Sequence, residues 1–277
     1  MTDNASTDDV GIKQERSGGV LTITLDRPDV HNSLDWRARD ALGDAFHAAS
    51  DDLNVRAVVL TGSGDRAFCT GADLRTSLPR APRPDGAPNF AQGDTARAIQ
   101  TGWQRLVTSV LDCDKPVIAA VNGTAAGGGM HLALACDIVV MAESAKIVPV
   151  FVRRGIAPDA GGPYLLSRLV GPQRAKQLYF FGDDLPAKTA YEWGLATHLV
   201  PAGEALSTAT GLAERLASGP TRAIAVTKRL VNTALDVDRG TALNDEAWGQ
   251  ELVMTTEDAQ EGVRAFVERR ETDFKGW

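Results

Sequence analysis

The amino-acid sequence predicts an α/β fold, in which strands and helices alternate up to about residue 200 and only helices follow. Short β-branched apolar runs at 55–60 and 116–121 each lead through a glycine-rich turn into a helical pattern, which is typical of a strand followed by a helix. The later apolar residues follow helical spacing alone. We therefore expect a disordered N-terminus over 1–10, a core over 11–200 and a C-terminal helical region over 201–277.

A β-hairpin and an amphipathic helix are expected first. Alternating apolar and threonine residues over 21–25 indicate a half-buried strand, and Ser17-Gly18-Gly19 can turn the chain from a preceding strand at 12–16. Ser33 is in position to cap the next helix. The apolar stripe of that helix would consist of Leu34, Ala38, Ala41, Leu42, Ala45, Phe46 and Ala49.

Two glycine-rich turns are the most informative feature of the chain. One spans 67–74 and the other 121–130, and each follows a predicted strand. A strand that ends in glycines and opens into a helix leaves backbone N–H groups unpaired. If the two turns meet, their N–H groups can hold one oxygen atom and stabilise negative charge on it, as an oxyanion hole does. A short helix at 130–135 and a strand at 138–141 are expected after the second turn.

The segment between the two turns contains a predicted loop and a predicted helix. The stretch from Arg75 to Asp94 carries four prolines and two glycines, which favours a long mobile loop. Long loops inside compact domains are usually functional or disordered, and this one is a candidate for selecting the substrate. A helix from about Thr95 to Leu111 should follow it.

Charge and composition exclude several classes of protein. The net charge of -7 at pH 7 argues against a nucleic-acid partner. Three cysteines are too few for a disulfide framework and suit a reducing cytosol. No apolar run is long enough to cross a bilayer and no signal peptide is recognisable, so we expect a cytoplasmic protein without membrane attachment. The histidines show no metal-ligand spacing and no nucleotide-binding fingerprint is present, so neither a metal nor a cofactor is expected.

Both glycine-rich turns resemble those of the crotonase superfamily, which contains the enoyl-CoA hydratases and isomerases. Four further segments fit the superfamily: 21–28 with Asn32-Ser33-Leu34, 135–138, 155–162 and 266–276. The resemblance implies a crotonase-like spiral of ββα units with a C-terminal helical oligomerisation region. It also implies a homo-oligomer, either a trimer or a dimer of trimers.

The resemblance assigns the oxyanion-hole donors to the amides of Ala72 and Gly128. The charge that they would stabilise is that of the enolate formed when a proton is removed next to a thioester carbonyl. Superfamily hydratases also use two glutamates, whose positions are occupied here by His131 and Phe151. Because a phenyl ring transfers no protons, we do not expect an ordinary hydratase activity.

Asp159 is the candidate catalytic base, because its position resembles that of the aspartate in superfamily isomerases that shift double bonds. One carboxylate can remove a proton at one carbon and return it two carbons away. Burial in an apolar pocket would raise its pKa and strengthen it as a base. As an alternative, an aspartate before two glycines and an apolar run can cap a helix.

His131 is the second candidate catalytic residue. It lies near a helix N-terminus that disfavours its cationic form, so the ring should be neutral at pH 7. A neutral imidazole could form a water-activating pair with Asp159, which would suit hydration of a bulky or unusual enoyl-CoA. It could equally be a buried histidine bonded to a backbone carbonyl.

Binding of an acyl-CoA thioester is implied by the resemblance. The residues expected to contact this substrate are Arg27, Asp73, Leu74, Phe151, Phe266 and Arg269. By composition alone, Arg269 and Arg270 beside two glutamates form an ordinary solvated charge run.

The sequence therefore predicts an enoyl-CoA isomerase that uses coenzyme A only as part of its substrate. The alternatives are a hydratase in which His131 and Asp159 replace the glutamates, and a non-catalytic acyl-CoA-binding protein. RNA binding, known for some superfamily members, is disfavoured by the acidic charge.

Overall fold

The structure, a computed structural model, describes residues 10–76, 84–88 and 91–277. Residues 1–9 of the predicted disordered terminus lie outside the described residues, as do parts of the predicted loop between Arg75 and Asp94.

The described residues form successive units of two strands followed by a helix. The strands are β1 (Ile12–Ser17), β2 (Val20–Leu25), β3 (Ala57–Gly62), β4 (Ala67–Cys69), β5 (Val117–Val121), β6 (Thr124–Ala126), β7 (Ile138–Ala142), β8 (Lys146–Val148), β9 (Leu185–Pro186) and β10 (His198–Val200). The helices are α1 (Trp36–Asp51), α2 (Asp94–Ile99), α3 (Arg105–Leu111), α4 (Gly128–Ala135), α5 (Gly162–Phe181), α6 (Ala187–Glu192), α7 (Ala205–Ala217), α8 (Thr221–Thr233), α9 (Arg239–Met254) and α10 (Glu257–Glu268).

The first two strands, β1 and β2, lie in one sheet, and the strands of the later units divide between that sheet and a second, smaller one. The larger sheet has the order β1-β2-β3-β5-β7-β10 and is parallel apart from the β1–β2 hairpin. The smaller sheet has the order β4-β6-β8-β9, in which β9 alone is antiparallel to its neighbour. Because β4 and β6 are parallel neighbours, the segments that follow them leave the smaller sheet side by side. These segments, 70–74 and 127–130, are the last parts of the two glycine-rich turns.

Several predicted elements are confirmed. Ser17 pairs with Val20 across the two glycines of the predicted hairpin turn. The helix and the strand predicted after the second glycine-rich turn are α4 and β7.

The predicted helix cap at Ser33 is wrong. The cap of α1 is Asp35, whose side chain accepts a hydrogen bond from the amide of Ala38 at 2.9 Å. The cause is Leu34, whose amide donates to the carbonyl of Gly71 and whose own carbonyl accepts from Asp73. A residue held extended by this bridge cannot form the first turn of a helix, so α1 begins beyond it.

The helix predicted from about Thr95 to Leu111 is present, but a π-helical turn at Gln100–Gln104 separates α2 from α3. At this turn a Cβ on Gly102 would overlap the guanidinium of Arg39, which is buried. The extra residue changes the direction of the side chains that follow, and it directs Trp103 into the interior.

α7 follows the predicted end of the core at residue 200 but packs on β3, β5 and β7 of the larger sheet. Its buried residues are alanines spaced four apart: Ala205, Ala209, Ala213 and Ala217. This spacing forms one helix face, and methyl side chains on that face allow a close approach to the sheet. We propose a separate C-terminal region only for α8 to α10.

An ion pair between the buried Lys228 and the partly exposed Asp137 connects α8 to the core. The Nζ atom of Lys228 lies 2.9 Å from Oδ2 of Asp137 and donates to the backbone carbonyls of Val110 and Lys115. Burial raises the pKa of Asp137, and the neighbouring ammonium of Lys228 works against that rise.

No helix within the described ranges combines the length and the apolarity that a bilayer crossing requires.

Candidate active site

The two glycine-rich turns are in direct backbone contact. Gly71 has φ 86°, and a Cβ built on it would lie 3.0 Å from the amide nitrogen of Gly128 and 2.9 Å from the carbonyl oxygen of Ala126. A Cβ on Gly129 would overlap the carbonyl oxygen of Cys69. Glycine is required at these positions because any side chain would separate the turns.

Two backbone amides at this junction have no acceptor among the residues that the structure describes. The bridge with Leu34 uses the carbonyl of Gly71 and the amide of Asp73, and it leaves the amide of Ala72 unused. The amide of Gly128 is the first of α4, so it has no acceptor within the helix. Neither amide donates to another described residue. The positive end of the α4 dipole adds to the potential at this point.

Trp103 forms a wall beside the amide of Gly128. Its ring lies against the α-carbon of this glycine, where a Cβ would be 2.7 Å from Cζ3. The indole is buried. The sequence carries no signal for this position of Trp103, because nothing in the local sequence indicates the π turn that holds it.

His131 is enclosed in a cluster of aromatic side chains. Its exposure is 0%. Nε2 lies 2.9 Å from the hydroxyl oxygen of Tyr179, and the ring stacks on Phe151 with centroids 5.2 Å apart and planes 5° apart. Tyr179 meets both rings edge-on. The cluster therefore fills the space around both positions that carry glutamates in the hydratases.

Burial lowers the pKa of His131 to about 3, so the ring is neutral at pH 7. Nδ1 has no hydrogen-bond partner among the described residues. The neutral state agrees with the sequence prediction, but the main cause is desolvation of the whole ring.

Asp159 lies in the turn that precedes α5. It does not cap this helix: the cap residue is Gly161, and no side chain accepts a capping hydrogen bond. The backbone carbonyl of Asp159 accepts from the amide of Gly162 at 2.9 Å, and Ala160 between them is buried with φ 49°. The half-buried carboxyl group has a raised pKa because burial disfavours its charge.

The aspartate turn and the aromatic cluster are in contact. A Cβ on Gly162 would overlap Cε1 and Nε2 of His131. Burial raises the pKa of the Tyr179 phenol, and the charge of Asp159 contributes to that rise. Sequence reasoning missed Tyr179, which carried no signal because it lies 48 residues from His131.

Arg27 and Asp73 are engaged within the chain. Arg27 donates to the carbonyl of Ser33 at 2.7 Å and pairs with Asp35 and Asp73 at 3.2 and 3.6 Å. Hydrogen bonds from the guanidinium of Arg75 lower the pKa of Asp73 to about 2. These pairs join the segment before α1 to the first glycine-rich turn.

The other predicted substrate contacts are dispersed. Leu74 is the last residue of the first turn and is 70% exposed. Phe266 is 84% exposed on α10, which packs on α9, and Arg269 ends that helix with φ 57°. The neighbouring Arg270 pairs with Glu261, from an earlier turn of α10, and with Glu268.

Comparison with known proteins gives the same family along nearly the whole chain. The family model described as "Enoyl-CoA hydratase/isomerase" matches residues 15–277. The chain belongs to this family. The structure also resembles that of a putative enoyl-CoA hydratase from Streptomyces coelicolor A3(2), with a TM-score of 0.88, 36% identity, and coverage of 100% of this chain and 98% of that one.

Two curated relatives are similar to this chain in sequence. Over 260 residues it is 38% identical to the 1,2-epoxyphenylacetyl-CoA isomerase of Escherichia coli (strain K12), covering 93% of this chain and 95% of that relative. Over 265 residues it is 39% identical to a probable enoyl-CoA hydratase of Rhodobacter capsulatus, with coverages of 96% and 98%. The predicted superfamily, fold class and enzymatic nature are confirmed.

Proposed function

We propose that this family member is an isomerase that shifts the double bond of an enoyl-CoA thioester. One observation carries the proposal. The site has one half-buried carboxyl group, that of Asp159, while the two positions that carry glutamates in the hydratases are occupied by His131 and Phe151, which stack on each other. A 1,3-proton shift needs one base, whereas hydration in the manner of the superfamily needs two acidic groups.

In the proposed mechanism, the thioester oxygen accepts hydrogen bonds from the amides of Ala72 and Gly128. Asp159 removes a proton from the acyl chain, and the two amides stabilise the enolate that results. The same carboxylic acid then returns the proton two carbons away, so that the double bond migrates and the base is regenerated. Losing one such donor costs about 3 kcal/mol of barrier.

The raised pKa of Asp159 fixes the direction of the pH dependence. The carboxylate is the active form of Asp159, so turnover should fall as the pH falls through the pKa of this group in the folded protein. That pKa lies above the ordinary value for an aspartate. The raised pKa also means that the charged form is disfavoured on folding. Asp159 therefore lowers stability at neutral pH, and Asp159→Asn should stabilise the fold while removing activity.

Coenzyme A would bind along the loops that Arg27 and Asp73 join, with Leu74 and Phe151 beside the acyl group. Phe266 and Arg269 would contact the coenzyme A of a neighbouring subunit in the proposed trimer or dimer of trimers. This assembly is supported by exposed apolar side chains on the last two helices: Leu243, Trp248, Leu252, Val263 and Phe266.

A ring-bearing acyl group is the first substrate class to test. The supporting fact is the similarity to the isomerase of E. coli, whose name specifies a phenylacetyl-derived thioester. Hydration or dehydration of an unusual acyl-CoA is the second candidate, because the relative in R. capsulatus is named a probable hydratase at nearly the same identity.

The decisive experiment is product analysis in deuterated water with linear and ring-bearing 2-enoyl- and 3-enoyl-CoA thioesters. Deuterium incorporation with double-bond migration is expected, and Asp159→Asn should lower kcat about 10²–10⁴-fold. Asp183→Asn, at an exposed aspartate, is the matched control. A product heavier by one water would support the hydratase, and thioester binding without turnover would support a non-catalytic binder.

A further inference from the structure

The imidazole ring of His131, on α4, packs directly against the backbone at the start of α5. The imidazole of His131 lies so close to Gly162 that any Cβ there would overlap two of its ring atoms. Gly162 is the first residue of α5, and its amide donates to the carbonyl of Asp159. The ring therefore supports the turn that carries the proposed base.

The opposite side of the same ring is also fixed. Nε2 is hydrogen-bonded to Tyr179, which lies in the second half of α5, after the break at Gly171 with φ 77° and ψ 161°. Phe151 covers one face of the imidazole. His131 is thus held by both ends of α5 and by the segment after β8.

We propose that His131 and Tyr179 are positioning residues that fix the Asp159–Gly162 turn, and that His131 transfers no proton during turnover. The proposal rests on Asp159 acting as the base. In the proposed isomerase, the aromatic cluster at the two positions that carry glutamates in the hydratases would therefore hold the turn of the base in place.

Burial and bonding explain why the ring is unsuited to proton transfer. The imidazole has no exposed surface, and Nδ1 contacts no hydrogen-bonding partner in the described structure. The titratable group in contact with the ring is Tyr179, from α5, whereas Asp159 in the preceding turn approaches the ring with its backbone. A single neutral tautomer, with Tyr179 as its partner, satisfies Nε2 without any ionisation.

Two substitutions of His131 separate positioning from proton transfer. His131→Leu keeps an apolar side chain of similar bulk and loses the bond to Tyr179, whereas His131→Gln keeps an amide near the Nε2 position and cannot titrate. Misplacing a catalytic group by about 1 Å can cost about 100-fold in rate. We expect kcat to fall by about this factor in His131→Leu with little change in KM, and His131→Gln to recover most of it.

Tyr179→Phe tests the other partner. It should lower kcat in the same sense, and its effect should largely disappear when it is combined with His131→Leu, because the two changes break one interaction. Tyr191→Phe, at a tyrosine on the surface helix α6, is the matched control and should leave kcat unchanged.

A measurement on the resting enzyme makes the inference independent of turnover. With ¹⁵N-labelled histidine, the His131 signal is assigned by its loss in His131→Gln, and it should remain that of one neutral tautomer between about pH 5 and 8. Titration of this ring near its ordinary pKa would overturn the inference. So would a His131→Gln enzyme as inactive as His131→Leu. If instead the wild type shifted no double bond, the proposed function would fail, and if Asp159→Asn retained full isomerisation, Asp159 would not be the base; in both cases the histidine spectrum would still decide the state of His131.

Discussion

Apolar residues are buried in the core around the glycine-rich turns, whereas the helices at the C-terminus expose many of theirs. α4 buries all 8 of its residues, whereas none of the 16 residues of α9 is buried. α9 nevertheless carries Trp248, which is 68% exposed. Its N-terminus is capped by Asp238, which accepts from the amides of Gly240 and Thr241. The core is thus held by packing, and the last helices by caps, polar contacts and the subunit contacts that we propose.

The largest effect should come from breaking the partly buried ion pair between these two regions. Lys228→Met leaves the carboxylate of Asp137, whose side chain is 21% exposed, without its cation. Because breaking a fully buried pair costs about 3–5 kcal/mol, we expect a loss of about 2–3 kcal/mol here. Urea unfolding measures this loss. Lys146→Met, which breaks the more exposed pair with Asp184, is the control and should cost no more than about 1 kcal/mol. Equal losses in the two variants would mean that α8 is not held by Lys228.

A change at the junction of the two turns should affect catalysis more than folding. Gly71→Ala places a methyl group against the amide of Gly128, and disturbing an oxyanion donor costs about 10²–10³-fold in kcat. Gly64→Ala is the matched control, because Gly64 has φ 75° but nothing within 4 Å of the added Cβ. Steady-state kinetics should separate the two variants. Equal kcat values in both would remove the amide of Gly128 from the proposed mechanism.

The smallest effect on the fold of one subunit should come from the exposed face of α9. Trp248→Ser removes little packing within the chain, because Trp248 is 68% exposed, so the free energy of unfolding of a subunit should change by no more than about 0.5 kcal/mol. In sedimentation velocity, however, the variant should dissociate at a higher concentration than the wild type. An unchanged assembly would show that Trp248 lies outside the proposed subunit interface.

The sequence predicted the elements whose signals are local. The strand–glycine–helix pattern located both turns, whereas their contact depends on the parallel pairing of β4 with β6, which the structure shows. The cap at Asp35 was missed because Leu34 is held by a partner far along the chain, Gly71. The pairing of His131 with Tyr179 was missed because it depends on the broken path of α5 at Gly171. Interactions of this kind depend on tertiary geometry, which periodicity does not contain.

The alanine face of α7 has a consequence for synthesis of the chain. β3, β5 and β7 are complete once residue 142 has been made, yet the helix that covers them ends only at Ala217. Until that residue leaves the ribosome, one face of the larger sheet has no cover, and exposed sheet surface of this kind promotes aggregation. A chain truncated near residue 200 should therefore need chaperones to stay in solution. A chain that extends past Ala217 should not, because α7 can then pack on β3, β5 and β7.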